Sequence, residues 1–473
     1  MNATNDVYTL LHVEPLYECR YAMLTNLEIT SSEVDDLPLE PPHHEGPGSI
    51  RLKPLRVCIV AEHASYRFGG EAVLPVHFFA GLRARGIESW LVVHSRTSEE
   101  LLAAFPADQD RLRFISDAWF HKLLLRLSNF LPRRIAQSTT GLISQLTTQY
   151  LARKIVRDLV ASASIDIVHQ PIPVSPRFPS LMSGLGVPVV IGPMNGGMEY
   201  PAAFRQRESF LTRGAVNIGR HLSNFVNSQL SGKKLAEVLL VANQRTRLAL
   251  PSGVRGQVIE LPENGVHMGT WSSSSTKSPT DLGASAKCRF VFMGRLVDWK
   301  GVDMAIEAIS RVPGAELVII GDGPMRELWR KAAEDLHISD RVTFTGWLPQ
   351  DECAPHIHSS LALVLPSIYE CGGAVVLEAM ASGTPVIATN WGGPADYLDS
   401  SCGFLIDPRS REAIVEGFAA AMQQLIDHPE LRDQLGAKGK QRVLEHFDWE
   451  KKIDRILQIY RDVLATKSSP VRN

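Results

Sequence analysis

Two pairs of charged residues in the C-terminal half of the sequence have the types and the spacing to bind an anionic ligand. Glu370 and Glu378 lie eight positions apart with a glycine pair between them. Arg295 and Lys300 lie in the segment G-R-L-V-D-W-K-G. A rigid guanidinium fork beside a mobile ammonium suits a diphosphate whose negative charge grows as it leaves. Solvated cations in an ordinary loop would have the same local sequence, so these residues alone leave both interpretations open.

Each pair follows a short apolar run that predicts a buried strand. Residues 361–365 precede Glu370, and residues 288–293 precede Arg295. After a Gly turn, the Ala/Met/Val/Leu pattern around Glu378 predicts a helix. This puts Glu370 in a loop and Glu378 on the helix that follows. In an open α/β sheet, such a loop lies next to a helix amino end with free N–H groups, where these folds hold anionic ligands.

The length and composition predict a soluble enzyme with two domains. A chain of 473 residues is too long for one ordinary core, and 44% hydrophobic with 21% charged residues is usual for a soluble enzyme. The six cysteines are scattered, without a C-x-x-C pair or metal-ligand spacing, so neither a disulfide framework nor a zinc site is predicted. No apolar run is long enough for a membrane span, and residues 1–9 do not resemble a secretory signal. We therefore expect a cytoplasmic protein.

The net charge of −2 hides an uneven distribution of charge along the chain. Residues 1–50 hold 1 Lys/Arg and 9 Asp/Glu, which gives −8. Residues 51–267 hold 26 and 15, which gives +11, and residues 268–473 hold 22 and 27, which gives −5. The middle of the chain is therefore basic.

A β-loop-α-β unit opens the ordered part of the chain. Residues 55–60 predict a strand, 61–70 a loop, 71–85 a helix closed by Gly86, and 89–94 the next strand. Units of this kind build doubly wound sheets. Further strands are predicted at 165–168, 187–191, 238–242, 258–261, 316–320, 341–345, 385–389 and 403–406.

These elements predict two doubly wound domains with a cleft between them. We expect a disordered or loosely packed extension over 1–50 because it is acidic, rich in proline and without a hydrophobic period. The Ser-rich stretch before residue 288 predicts a flexible linker. The expected order is an extension (1–50), an N-terminal Rossmann-like domain (51–267), a linker (268–287), a C-terminal Rossmann-like domain (288–448) and a last helix (449–473).

Residues 115–160 combine leucines at helical spacing with an excess of basic residues. One interpretation is a pair of amphipathic helices packed on the sheet. The other is a basic face that meets anionic lipid or a lipid-linked acceptor on the inner face of a membrane.

Two features of the N-terminal half could contribute to a site in the cleft. Gly69 and Gly70 lie in the first βα loop, where glycines let the backbone approach a bulky ligand ahead of helix N–H groups. His169 follows the strand at 165–168 and would face the cleft, although a lone histidine at a strand end is more often structural.

Two other patterns are discounted. Asp108 and Asp110 form a D-x-D, as in metal-dependent sugar transferases, but they lie in a polar stretch far from the glycine loops. The first βα loop is not G-x-G-x-x-G and has no acidic residue at the dinucleotide spacing, which weakens an NAD-dependent dehydrogenase as an alternative.

Taken together, these motifs resemble those of the retaining glycosyltransferases of family four, which have the two-domain GT-B fold. The resemblance covers residues 56–464. It rests on G-G-E at 69–71, N-G-V at 264–266, G-R-L-x-x-x-K-G at 294–301, G-x-G-P at 321–324, E-x7-E at 370–378 followed by A-M-A-S-G-T-P-V-I-A-T, and F-D-W-E at 447–450.

The resemblance implies that the C-terminal domain holds a nucleotide-diphosphate sugar. Arg295 and Lys300 would contact its phosphates, and Glu378 its ribose hydroxyls. Glu370 would contact the sugar, helped by the backbone N–H groups of Gly373 and Ala374.

It also implies that the N-terminal domain, on the opposite wall of the cleft, binds the acceptor and contributes to the donor site. Gly69 and Gly70 would bind the donor from the N-terminal domain, with Gly70 under the diphosphate. His169 would contact the transferred sugar near the reacting carbon. The family usually needs no metal or other cofactor, and its last helix crosses back to the N-terminal domain.

The sequence departs from the family pattern at two positions. Family members often have an aromatic residue two positions after the first glutamate, where this chain has Gly372. Asn195 replaces a glycine in a loop that otherwise looks like G-P-x-G-G-G.

The expected activity is transfer of a hexose, with retention of anomeric configuration, to a glycan or lipid-linked acceptor in polysaccharide or glycolipid biosynthesis. Glycosidases that retain configuration place two carboxyl groups about 5 Å apart, and no loop of this sequence offers such a pair. We therefore expect front-face substitution, in which the leaving diphosphate takes the acceptor proton. The alternative is a catalytically inactive binding subunit of the same shape. Nothing in the sequence predicts nucleic-acid binding.

Overall fold

The computed structural model describes residues 54–68, 70–116, 142–207, 223–272 and 288–468. The predicted extension over 1–50, residues 117–141 of the basic segment and most of the predicted linker lie outside these ranges. Within them, two separate parallel β-sheets have helices packed on them. The central strands of each sheet are apolar along most of their length and largely buried, as expected where helices cover both faces of a parallel sheet.

The N-terminal sheet has seven strands in the order β3-β2-β1-β4-β5-β6-β7. Every neighbouring pair is parallel. The strands are β1 (Arg56–Val60), β2 (Glu88–His94), β3 (Leu112–Ile115), β4 (Ile167–Gln170), β5 (Val189–Met194), β6 (Val238–Val241) and β7 (Gln257–Glu260).

The C-terminal sheet has six parallel strands in the order β10-β9-β8-β11-β12-β13. The order reverses direction at β8 and β11, and this is the point where a doubly wound sheet opens a crevice for a ligand. The strands are β8 (Cys288–Met293), β9 (Ala315–Ile320), β10 (Val342–Gly346), β11 (Ala362–Leu365), β12 (Val386–Thr389) and β13 (Gly403–Ile406).

Helices connect the strands within each domain. The α-helices of the described residues are α1 (Leu74–Ala84), α2 (Ser98–Ala104), α3 (Leu142–Ser162), α4 (Gly232–Leu235), α5 (Gln244–Leu248), α6 (Met268–Ser272), α7 (Val302–Ser310), α8 (Arg326–Asp335), α9 (Gln350–His358), α10 (Ala374–Ala381), α11 (Gly393–Tyr397), α12 (Arg411–Asp427), α13 (Pro429–His446) and α14 (Trp449–Ser468). In this part of the chain, none of them is both long and apolar enough to cross a membrane.

Two parts of the sequence-based prediction need correction. Strand β3 was not predicted, because it is a four-residue edge strand beside a polar turn. The predicted linker begins too early: residues 268–272 form helix α6, and the Trp271 side chain is only 1% exposed within the core of the C-terminal domain. Its backbone oxygen also contacts His358 Nε2 at 3.1 Å.

Helix α14 crosses back to the N-terminal domain, as the family resemblance implies. Its apolar side chains, among them Ile453 and Tyr460, are buried in the same core as β1 and α1. At its amino end, Arg85 on the loop after α1 forms ion pairs with Glu450 and Asp454. The N-terminal domain is therefore completed by a helix that follows the entire C-terminal domain in sequence.

Candidate active site

The predicted cations and the first glutamate lie on two neighbouring loops of the C-terminal domain. One loop follows β8 and the other follows β11, and the N–H of Ile368 donates to the carbonyl of Trp299 at 2.9 Å to join them. Lys300 Nζ forms an ion pair with Glu370 Oε2. The two side chains are only 13% and 14% exposed, so this pair is shielded from solvent screening.

Arg295 lies on the same loop as Lys300 but is not paired with a carboxylate. Arg295 is exposed, and it has no ion pair or side-chain hydrogen bond within the described ranges. Lys300 Nζ folds back over the loop, 3.8 Å from where a Cβ on Gly294 would lie. The loop therefore presents one cation already paired with a carboxylate and one cation open to solvent.

Glu378 lies in the second turn of α10, behind this loop pair. Gln350 Nε2, at the start of α9, donates to Glu378 Oε1 at 3.3 Å. Burial raises the pKa of Glu378 to about 7, and the hydrogen bond from Gln350 lowers it by less. Near neutral pH the side chain is present both as a carboxylate, which accepts hydrogen bonds from a ligand, and as the protonated acid, which can also donate one.

Gly373 and Ala374 form the amino end of α10. Gly373 is the N-cap residue and has φ 83°, a left-handed conformation that favours glycine. Ala374 is the first helical residue, so its N–H is among those that have no partner within the helix. This end of the helix can bind negative charge next to Glu370.

The structure explains the first departure from the family pattern. A Cβ on Gly372 would lie 2.2 Å from Asn264 Nδ2, which is too close for any side chain. Asn264 is held there because its Nδ2 donates to the Tyr397 hydroxyl at 2.9 Å. The space that an aromatic side chain would use is therefore occupied by the segment that leaves the N-terminal domain.

The glycine loop of the N-terminal domain is only partly described, since Gly69 lies outside the described residues. Gly70 is exposed, has φ 55° and would carry a Cβ into open space. The preceding residues are fixed by Glu100, which accepts from Ser65 Oγ at 2.7 Å and from the Tyr66 N–H at 2.8 Å. Gly70 therefore follows a segment that hydrogen bonds hold in place, and the space next to Gly70 is open to a ligand.

The structure contradicts the prediction that His169 faces the cleft. Its side chain is completely buried. Nε2 donates to the carbonyl of Gly192 at 2.6 Å, and Nδ1 accepts from the Tyr460 hydroxyl at 2.6 Å. Burial lowers the pKa of His169 to about 4, so the ring is neutral at physiological pH. His169 ties α14 to the N-terminal sheet, and no ring nitrogen is left for a sugar.

Sequence reasoning missed a group of carboxyl side chains at the wall of the N-terminal domain. Glu62 follows β1, Glu71 opens the turn before α1, and Glu263 follows β7. Burial raises the pKa of both Glu62 and Glu263 to about 7, and the charge of Glu71 raises it further in each case. Glu71 Oε2 accepts from the Val174 N–H at 3.1 Å. In the sequence, Glu263 could have been recognised as a candidate site residue because it directly precedes the N-G-V motif.

The D-x-D motif of Asp108 and Asp110, which the sequence analysis discounted as a metal site, has a structural role at Asp108. Asp108 accepts from Arg83 Nε at 2.9 Å, which joins the turn before β3 to α1. Across the described residues, no group of three or more His, Cys, Asp or Glu side chains is placed to hold a metal ion.

A family model matches most of the C-terminal domain. Residues 278–442 match the family described as "Glycosyl transferases group 1". This region includes Arg295, Lys300, Glu370 and Glu378.

Two curated relatives each match a part of this chain. The chain is 38% identical over 168 residues to the lipopolysaccharide core biosynthesis glycosyltransferase LpsE of Rhizobium meliloti, which is 35% of this chain and 48% of LpsE. It is 29% identical over 262 residues to the glycogen synthase of Mycobacterium tuberculosis, which is 52% of this chain and 61% of that enzyme. The matches thus span about half of each relative.

A solved structure matches both domains. Alr3699/HepE of Anabaena, in complex with UDP, superposes with a TM-score of 0.61 at 14% identity, over 86% of this chain and 100% of HepE. The two parallel sheets with the returning last helix thus form the GT-B fold. At this identity the likeness concerns the fold alone.

Proposed function

We propose that this protein is a retaining glycosyltransferase that moves a hexose from a nucleotide-diphosphate sugar to a glycan or lipid-linked acceptor. The observation that carries the proposal is the Lys300–Glu370 pair beside the amino end of α10, with Arg295 open to solvent on the same loop. Two cations, a carboxylate and a helix amino end meet where the order of strands reverses. This combination suits a diphosphate attached to a polyol.

The comparisons support the donor class and the biosynthetic setting. HepE is described in complex with UDP, LpsE acts in lipopolysaccharide core biosynthesis, and the mycobacterial relative is a glycogen synthase. Nucleoside diphosphates and glycan acceptors therefore come first among the ligands to test. We infer that no metal is needed, since Arg295 and Lys300 supply the positive charge that a cation would otherwise bring.

The Lys300–Glu370 pair suggests how donor binding proceeds. In the free protein Lys300 has Glu370 as its partner. An arriving diphosphate carries more negative charge and attracts the ammonium group more strongly. Glu370 then accepts hydrogen bonds from the sugar hydroxyls in place of the lysine. When the Lys300–Glu370 ion pair opens, Lys300 therefore binds the diphosphate of the donor and Glu370 binds its sugar.

We infer front-face substitution as the chemical step. The bond between the anomeric carbon and the leaving phosphate oxygen breaks, and the acceptor oxygen bonds to the same face of the sugar. The acceptor proton passes to the leaving diphosphate. Arg295 and Lys300 stabilise the charge that develops on the diphosphate, which is where fixed cations contribute most to a rate. Glu370 and Glu378 bind hydroxyls and exchange no proton.

Replacing Lys300 by Ala tests this assignment. We expect turnover at saturating donor to fall on the order of 100-fold, as for removal of one electrostatic group from other active sites. Lys331→Ala is the matched control, because Lys331 is exposed on α8. Wild-type turnover in the Lys300 variant would refute the role of this residue.

A panel of nucleoside diphosphates and their sugars in thermal-shift assays identifies the donor, because a ligand that binds only the folded protein raises its melting temperature. Nuclear magnetic resonance of the first product formed then reports the anomeric configuration, and an inverted product would contradict the proposed mechanism. Donor binding without transfer or hydrolysis would favour the inactive binding subunit instead.

We further propose that the protein works on the inner face of a membrane. On α3 an exposed stripe carries Ile143, Tyr150, Lys154 and Arg157, and Tyr150 is 70% exposed. Apolar side chains followed by basic ones on one helix face are typical of helices that lie on anionic lipid. This stripe supports the prediction made for residues 115–160, of which 117–141 lie outside the described residues.

A further inference from the structure

A side chain of the N-terminal domain contacts the loop that carries Glu370. Asn195, directly after β5, donates from Nδ2 to the carbonyl oxygen of Cys371 at 3.0 Å. Asn195 is 5% exposed, so this bond between the domains is shielded from water. Cys371 is the residue next to Glu370, and the bond therefore fixes the backbone from which the Glu370 side chain projects.

Asn195 is itself held in one orientation. Its N–H donates to the carbonyl of Val174 at 2.8 Å. Its Oδ1 faces hydrogen-bond donors of Asn243, Arg245 and Thr246, each at 3.5 Å. Since the guanidinium of Arg245 can only donate, the Asn195 oxygen must point to it. The amide nitrogen then points to Cys371 and to the carboxyl of Glu263, whose pKa the hydrogen bond from Asn195 lowers.

A second set of contacts supports the same loop from behind. Asp396 Oδ2 accepts from Asn243 Nδ2 at 2.8 Å and from Arg245 Nη2 at 3.2 Å. The segment that carries Asp396 donates from the Gly393 N–H to the Glu370 carbonyl at 2.8 Å. Two successive carbonyl groups of this loop therefore accept hydrogen bonds. The Glu370 carbonyl accepts from the segment that Asn243 and Arg245 of the N-terminal domain hold in place, and the Cys371 carbonyl accepts from Asn195.

We propose that Asn195 is a positioning residue that sets the Glu370 carboxylate for the donor sugar. The inference rests on the proposed function. A glycine at this position, as in the G-P-x-G-G-G loop that it resembles, could not make the bond because it has no side chain. This chain therefore couples the placement of its sugar-contacting carboxylate to the N-terminal domain, which is expected to bind the acceptor.

Two variants separate positioning from general stability. Asn195→Ala removes the donor, and Asn195→Asp keeps the shape but turns an acceptor toward the Cys371 carbonyl. Both should lower kcat about threefold to tenfold, the range for loss of one hydrogen bond, with Asn195→Asp at least as impaired. Binding of the nucleoside diphosphate without its sugar should stay as in the wild type, because its contacts to Arg295, Lys300 and Glu378 are untouched. Arg247→Ala, on the exposed face of α5, is the matched control.

The measurements are kcat and KM for the nucleotide sugar, and calorimetric affinities for both the nucleoside diphosphate and the nucleotide sugar. A lower kcat, with any loss of affinity confined to the nucleotide sugar, supports the inference. Wild-type kcat in both variants, or equal loss of affinity for both ligands, overturns it. If the wild-type protein binds no nucleoside diphosphate and no nucleotide sugar, the proposed function itself fails and the inference with it.

Discussion

Replacing Glu378 by Gln should make the protein more stable above neutral pH and should weaken its binding of the donor. Burial raises the pKa of Glu378 from 4.5 to about 7. The folded protein therefore keeps a proton on this group that the unfolded chain releases between about pH 4.5 and 7. As pH rises through this window, the free energy of unfolding falls, and it levels off above about pH 7. A glutamine does not titrate and avoids this loss.

The size of the pKa shift limits the size of the effect on stability. Each unit of pKa is worth about 1.4 kcal/mol, so a shift from 4.5 to about 7 gives at most about 3 kcal/mol above neutral pH. Because Glu378 is only partly shielded by side chains around it, solvent screening makes this an upper limit. For a domain of this size, about 2–4 °C in melting temperature corresponds to 1 kcal/mol. The ribose hydroxyls would lose charge-assisted hydrogen bonds, which weakens donor affinity about tenfold to 100-fold.

Melting temperatures of wild type and Glu378→Gln at about pH 5 and pH 8.5 test the first effect. We expect nearly equal values at the lower pH and a clear gain for the variant at the higher pH. Glu334→Gln serves as control, since Glu334 is an exposed residue of α8. A melting difference that is the same at both pH values would refute the argument that burial raises the pKa of Glu378. Unchanged donor affinity would refute its contact with the ribose.

Two further predictions concern residues outside the donor site. His169→Ala should lower the free energy of unfolding by about 2–4 kcal/mol, because both ring nitrogens are bonded in the core, and should change kcat by less than about threefold; a 100-fold loss of kcat at unchanged melting temperature would restore a catalytic role. Lys154→Glu with Arg157→Glu should reduce co-sedimentation with anionic vesicles at low salt, since both side chains are exposed on α3. If the wild-type protein does not co-sediment at low salt, the membrane proposal is wrong.

Much of the fold could be predicted from local patterns. Buried parallel strands are continuous apolar runs, and helices that follow glycine turns have the expected period, so β1, β2, β8 and β11 lie where the sequence puts them. Strand β3 was not predicted because four residues of mixed burial are too few to show a hydrophobic period. The burial of Trp271 was not predicted because the Ser-rich stretch that follows it indicates a linker. Whether one aromatic side chain is buried depends on packing against residues that are distant in sequence.

The site was predicted less completely, for a related physical reason. The motif residues are local, but their contacts are not. Lys300 meets Glu370 from 70 positions away, and Asn195 meets Cys371 from 176 positions away. The prediction for His169 was wrong because its partner Tyr460 lies 291 positions later in the sequence. The local sequence around a histidine at a strand end is the same whether its side chain is buried in a core or binds a ligand. Only the three-dimensional arrangement distinguishes these cases.

The path of helix α14 also bears on how the protein is made. Ile453, Ile456 and Tyr460 are buried in the core that β1 and α1 begin, yet a ribosome synthesises them after the whole C-terminal sheet. While the chain is growing, the apolar side chains of β1 and α1 that pack against α14 therefore stay uncovered, and such exposed surface favours aggregation. The C-terminal sheet has all its strands before α14 emerges. The domain that is translated first is therefore the last to be completed.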